Sequence, residues 1–150
     1  MPIKIYKPTS DGRRHSSVDA FADITKTKPE KSLIVFLTPN SGRNNQGVLT
    51  VRHQGGGVKK FYRMVDFKLA KFDIEATVLS IEYDPYRGPR IALVQYTDGV
   101  KSYVLAPEGL KVGDKILSSK KAIEAKVANR MPLGFIPVGM FVHNLELTPG

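Results

Sequence analysis

The stretch I-E-A-T-V-L-S-I-E-Y-D-P-Y-R-G-P-R-I-A-L-V-Q-Y-T-D-G-V-K-S-Y-V-L, Ile74 to Leu105, decides the fold. Its opening ten residues alternate, with Ala76, Val78, Ser80 and Glu82 on one face and Glu75, Thr77, Leu79, Ile81 and Tyr83 on the other. A period of two is the signature of a strand. Two prolines and a glycine then fix a turn over Asp84 to Arg90. Ile91 to Tyr96 reads as the next strand. Asp98-Gly99 supplies the positive φ angles of a tight hairpin onto Lys101 to Leu105.

Working outward, Phe61 to Phe67 is an earlier strand, with Phe61 expected inward and Tyr62 outward. Leu110 to Leu117 is a later one, bent at Gly113 and Asp114. Short strands joined by turns favour a small antiparallel barrel over a sandwich. The fold class is therefore mainly β. Residues 120–131 pair Ile123 with Val127 at helical spacing among good helix formers, yet run into Pro132, Gly134 and Pro137, so they stay unassigned. Val138 to Leu147 returns to strand character.

Upstream the text changes. Residues 1–30 are polar and punctuated by Pro2, Pro8, Gly12 and Pro29, with only Val18, Phe21 and Ile24 hinting at an amphipathic turn. Leu33 to Leu37 is a brief apolar run, a strand or a buried anchor, and Val48 to Arg52 is a short strand in a loop-like stretch. Residues 1–60 lack the apolar surface to offset chain entropy alone, so they read as an extension ordered by a partner. The expected division is 1–60 extension, 61–119 barrel and 120–150 linker with the opening of a further domain.

Charge follows the same division. The chain has 150 residues and a formal charge of +9; residues 1–63 hold 12 basic and 4 acidic residues, and residues 64–150 hold 11 and 10. A basic arm joined to a nearly neutral domain suits a polyanion. Between Glu30 and Asp66 there is no acidic residue, while Lys31, Arg43, Arg52, Lys59, Lys60 and Arg63 lie inside that gap.

Other function classes meet specific objections. The chain has no cysteine, hence no disulfide or thiolate metal site. No apolar run reaches bilayer length, and the N-terminus lacks a secretory or transit pattern. Gly42 and Gly47 are spaced as in a phosphate-binding P-loop, but Val48 and Leu49 stand where Lys and Ser or Thr are needed. His53-Gln54-Gly55-Gly56-Gly57 has the look of an esterase oxyanion loop without any G-x-S-x-G nucleophile turn. His15, His53 and His143 lie far apart without zinc-site context. Catalysis, metals and cofactors are not expected.

The positive case rests on residues 42–63. Gly55, Gly56 and Gly57 lack Cβ atoms, so backbone N–H groups can approach phosphate closely. Arg43, Arg52, Lys59, Lys60 and Arg63 supply charge. Asn44, Asn45, Gln46 and Gln54 offer donors and acceptors suited to 2′-hydroxyls and base edges, and His53, Phe61 and Tyr62 offer stacking faces. A flexible solvated loop is the bland counterpart of this reading. Arg87 and Arg90, in the Pro-rich turn, are either surface charges or a second contact on the barrel rim; Lys120 and Lys121 are solvated charges.

The run G-R-N-N-Q-G-V-L-T-V-R-H-Q-G-G-G-V-K-K-F-Y-R-M-V-D-F-K, Gly42 to Lys68, resembles the signature of the universal large-subunit ribosomal protein two family. The resemblance continues through Ile81 to Arg87, Ile91 to Pro107 and Met131 to Gly150, and Lys7 to Arg14 and Pro29 to Leu33 fit that family's N-terminal tail. It implies a basic extension and an oligonucleotide-binding (OB) barrel embedded in large-subunit rRNA, with Arg13 and Arg14 added to the RNA contacts. It also implies roles in rRNA folding, subunit joining and the peptidyl-transferase region. The expected partners are rRNA and neighbouring ribosomal proteins, on a ribosome of a bacterium, mitochondrion or plastid.

Family members continue through an SH3-like barrel and a long basic tail absent from this text, so residues 131–150 correspond to the opening of that barrel. The chain then reads as a fragment, a truncated form, or half of a split protein whose other half is a separate polypeptide. Lys120 to Arg130 fits the family poorly. The alternative function is a free-standing single-stranded nucleic-acid module that binds through its barrel face.

Overall fold

A computed structural model of the chain describes residues 2–55 and 57–148. Met1, Gly56, Pro149 and Gly150 lie outside the described residues, and with them the phosphate contact expected at Gly56. The strands are β1 (Ile3–Ile5), β2 (Ser17–Asp19), β3 (Ile34–Phe36), β4 (Phe61–Arg63), β5 (Ala76–Glu82), β6 (Ile91–Tyr96), β7 (Lys101–Leu105) and β8 (Lys115–Ile116). Short 3-10 turns occupy Asp11–Arg13, Lys31–Leu33 and Leu133–Phe135.

Four strands form an antiparallel sheet in the order β7-β6-β5-β8. The face of β5 carrying Ala76, Val78, Ser80 and Glu82 is the buried one, although two of its four residues are polar. A register shift between Val78 and Ser80 marks a bulge there, and a bulge bends a strand and increases its twist. The result is a curled half-barrel. Strand β6 is buried along Ile91 to Val94 and so feeds two clusters. Ala92 and Val94 join Ala76, Val78, Tyr96, Val104, Leu110 and Ile116 on one side. On the other, Ile91, Leu93 and Tyr103 are covered by Leu33 and Val65.

Leu33 belongs to the segment that reads from sequence as an extension ordered by a partner. In the structure the sheet itself is a partner for part of it. Strand β3 pairs antiparallel with β4, setting Ile34 against Arg63 and Phe36 against Phe61. Val65 bridges Tyr103, which ties the β3–β4 pair to the edge strand β7. Thr25 N–H donates to the Ile81 carbonyl (3.0 Å), and Ile81 N–H donates to Thr25 Oγ1 (2.9 Å). Glu30 N–H donates to the Tyr103 hydroxyl (2.8 Å), which donates onward to the buried Glu82 carboxylate (2.7 Å). Ser80 Oγ donates to the same carboxylate (3.0 Å), and Lys26 Nζ stands 3.7 Å from it. Residues 19–36 are thus a strap across the half-barrel.

Several sequence expectations change. Tyr62, expected outward, is half-buried, and Phe61, expected inward, is exposed; the covered neighbour is Arg63. Parity fails because β4 is only three residues long and faces β3 rather than the main core. Val48 to Arg52 forms no strand, only a bridge between Arg43 and Leu49. Of Leu110 to Leu117 only β8 is extended, because Gly113 at φ +93 and Asp114 turn the chain, the Asp114 carboxylate accepting from Lys111 N–H (2.7 Å). Residues 120–131 are irregular and folded back, with Ser119 N–H donating to the Arg130 carbonyl (2.9 Å) and Asn129 Oδ1 accepting from Leu117 N–H (2.9 Å). The strand expected over Val138 to Leu147 is not formed among the described residues. An alternating run becomes a strand only where a neighbour takes up its backbone groups; here Val138, Phe141 and Leu147 stand fully exposed.

Candidate nucleic-acid interface

The strap and the sheet hold the two ends of a long loop. Every described residue from Arg43 to Phe61 is exposed. The loop is nevertheless shaped at its base. The Gly42 carbonyl accepts from Thr50 N–H (3.0 Å), Val51 N–H (3.1 Å) and the Thr50 hydroxyl (3.2 Å). Gly42 sits at φ +69, and a Cβ there would lie 2.0 Å from the Val51 carbonyl oxygen, so no other residue fits without moving backbone. Beyond it the Asn44 side chain closes a smaller turn, its Oδ1 accepting from Gln46 N–H (3.0 Å) and Val48 N–H (2.9 Å). Asn44 is therefore at least partly a turn former, while Asn45 and Gln54 project from the exposed loop.

Arg43, Arg52, Lys59 and Lys60 all lie on this loop, and none has a carboxylate within ion-pair distance among the described residues. Arg43 Nη1 donates to the Ser41 carbonyl (3.1 Å). His53 adopts φ +61, and a Cβ at Gly55 or Gly57 would meet nothing within 4 Å, so the backbone there is open to an approaching ligand. Unneutralised cations on an exposed, glycine-rich loop form a local positive field that attracts polyanions.

Three of the arginines named from sequence belong elsewhere, which corrects their expected placement. Arg63 is buried on β4 with Nη1 donating to the Phe61 carbonyl (2.7 Å). Arg87 is largely covered; its Nε stands 2.7 Å from Asp84 Oδ2, an ion pair whose N–H is not aligned as a hydrogen bond. Its guanidinium also lies over the rings of Tyr62 (5.6 Å) and Phe67 (5.4 Å). Tyr62 packs edge-on against Tyr86 (5.5 Å), which leaves it less free to stack on a base.

Arg90 is 7% exposed and grips the strap, Nε donating to Asp23 Oδ2 (2.8 Å) and Nη2 to Asp19 Oδ2. The Asp19 carboxyl is held below the usual range by the Phe21 N–H it accepts and by Arg90. That of Asp23 is held down chiefly by Arg90, which is itself held more firmly protonated by Asp23 despite its burial. Sequence reading missed this because the partners are 67 and 71 residues away.

Arg13 and Arg14 are exposed at the tip of the β1–β2 hairpin, Arg13 over the Tyr6 ring (4.8 Å). No hydrogen bond or ion pair among the described residues links this tip to the loop. Phe36, not singled out from sequence, emerges beside the loop as the cross-strand neighbour of Phe61. Only its place in the register identifies it.

A curled antiparallel half-barrel presenting an acid-free, cationic and glycine-rich loop defines an RNA-binding module. Residues 30–118 match the family model described as Ribosomal Proteins L2, RNA binding N-terminal domain. The chain belongs to this family, whose N-terminal domain is of OB type and whose members are RNA-binding components of the large ribosomal subunit rather than enzymes. The matched span begins at Glu30, whose N–H meets Tyr103, and closes just after β8. It contains the whole loop.

Proposed function

We propose that this chain binds large-subunit rRNA mainly through the loop from Arg43 to Lys60, with the half-barrel and strap fixing the loop's two ends. The observation that carries this is the set of four exposed cations without a carboxylate, on a loop pinned at Gly42. Guanidinium groups can take phosphate oxygens with two hydrogen bonds, and the Gly55 and Gly57 backbone can lie against the sugar–phosphate chain. Arg13 and Arg14 form a second contact on the hairpin tip. Arg63, Arg87 and Arg90 act through the fold, holding strands and strap.

In this reading the chain divides into a binding extension over 1–60, a barrel over 61–119 and a continuation over 120–150, the first two joined mechanically by the β3–β4 pair. It supports rRNA folding, subunit joining and the peptidyl-transferase region by bracing the RNA around it, beside neighbouring ribosomal proteins and a separate chain that supplies the family's second half. The ribosome is that of a bacterium or an organelle.

The test is affinity for large-subunit rRNA as a function of salt. Replacing Arg43, Arg52, Lys59 and Lys60 by Ala should flatten the log–log slope by about 0.7–0.9 for each phosphate that is no longer neutralised. The thermal midpoint should stay put, since none of the four is buried. An unchanged slope, with random single strands still bound, would instead favour a barrel-face module.

A further inference from the structure

The reversal of Phe61 and Tyr62 leaves an unexplained feature. Phe36 and Phe61 face each other across the β3–β4 register, 42% and 55% exposed, and neither stacks on another ring among the described residues. With Lys59 and Lys60 they line an open notch of about 220 Å³. Two exposed phenylalanines in a pair of three-residue strands contribute nothing to the cores described above. Lys59 Nζ lies 5.7 Å from the centre of the Phe36 ring, within reach of a cation–π contact.

We infer that this notch receives one unpaired nucleobase of the RNA, stacked against Phe36 or Phe61, while Lys59 and Lys60 hold the phosphates on either side of it. The inference rests on the rRNA-binding reading and adds a site to it. Every nucleobase has a π-face, so aromatic side chains beside cations form a stacking platform for single-stranded segments. The volume decides the size of the occupant. It falls below the roughly 300–1,000 Å³ of clefts that hold drug-sized ligands and suits a single flat heterocycle. The charge decides its class: the two lysines have no carboxylate partner among the described residues, and residues 31–65 contain no acid that would repel a phosphate.

The experiment uses the full 150-residue chain and large-subunit rRNA in which uridines are replaced by 5-iodouridine. Irradiation should join the RNA to Phe36 or Phe61, read by peptide mass spectrometry. A double variant, Phe36→Leu with Phe61→Leu, keeps apolar volume and removes both π-faces. Its affinity should fall roughly 5- to 150-fold, the value of stacking one base, with the salt slope unchanged. Phe36→Tyr with Phe61→Tyr should bind as the unaltered chain does. Protection of the Met64 amide, which donates to the Leu33 carbonyl (3.0 Å), reports that β3 and β4 remain paired in each variant. Cross-links confined to other residues, or a Leu double variant of full affinity, overturn the notch and leave the phosphate-binding loop standing. A salt slope indifferent to Arg43 and Arg52 overturns the loop whatever the rings do.

Discussion

The strap over residues 19–36 and the loop over residues 43–61 both fall in the segment that reads from sequence as an extension, yet the structure treats them in opposite ways. The strap carries three of the extension's four carboxylates, Asp19, Asp23 and Glu30, and each meets a cation: Arg90 takes the first two, and Lys26 and Lys101 stand 3.5 Å from the third. The loop has cations and no carboxylate, and every described residue of it is exposed. In the strap Lys26, Lys28 and Lys31 are balanced by Asp19, Asp23 and Glu30, while the loop carries four cations and no acid. Where acids are interspersed the chain docks on its own half-barrel; where they are withheld it stays available to an outside anion. What separates the docked strap from the exposed loop is where the acidic residues stand: three fall in the strap and none in the loop.

The comparison breaks most forcefully at Arg90. Arg90→Met keeps much of the side-chain volume but leaves Asp19 and Asp23 facing each other without a counter-ion. Removing the shared cation leaves two neighbouring carboxylates uncompensated and should destabilise the chain, with solvent at both carboxylates keeping the loss below that of a fully buried pair. Urea unfolding should show the loss. A variant as stable as the parent would mean the strap is held by other contacts.

Gly42→Ala sharpens the other side. The new Cβ has no room beside Val51, and a left-handed residue other than Gly is strained by about 1–3 kcal/mol. Since the loop beyond Gly42 buries nothing, the strain should release locally, opening the loop base and weakening rRNA binding roughly 5- to 150-fold with little change in the unfolding midpoint. A large drop in that midpoint would show that the loop is part of the core.

The smallest effect expected is on acidification. The native carboxyls of Asp19 and Asp23 titrate below their ordinary value of 3.8. Their contribution to docking is complete above that pH and is lost only as pH falls through the depressed native values. Hydrogen exchange at the Thr25 and Ile81 amides should accelerate in that window in the parent chain, and Arg90→Met should lack the step. Acceleration already at pH 5–6 would point to a different group.

Much of the sheet was legible because its information is local. Period-two alternation over Ile74 to Tyr83, the Asp98-Gly99 turn and the proline-bounded turn after Tyr83 each determine structure within ten residues. The cationic loop was legible as a composition, and its exposure follows from the same poverty of apolar residues. The rest depended on partners distant in sequence. Arg90 looks like a rim charge until Asp19 and Asp23 arrive from the far end of the chain. Tyr62 and Phe61 cannot be assigned inward and outward by alternation when the strand has three residues and its neighbour is β3. Val138 to Leu147 has a strand's pattern without a strand beside it. Nothing in the residues around Phe36 marks it as the other wall of a notch.

Tyr103 joins Glu30 to Glu82, spanning 73 residues in one direction and 21 in the other. A nascent chain emerges from its N-terminus, so the strap is made first and its anchor last. At synthesis rates of 5–20 residues per second the strap waits roughly 4–15 s for that tyrosine. The seat of Glu30 can therefore form only once β7 is made, whereas the contacts of Thr25 with Ile81 and of Asp19 and Asp23 with Arg90 need only the strands before it.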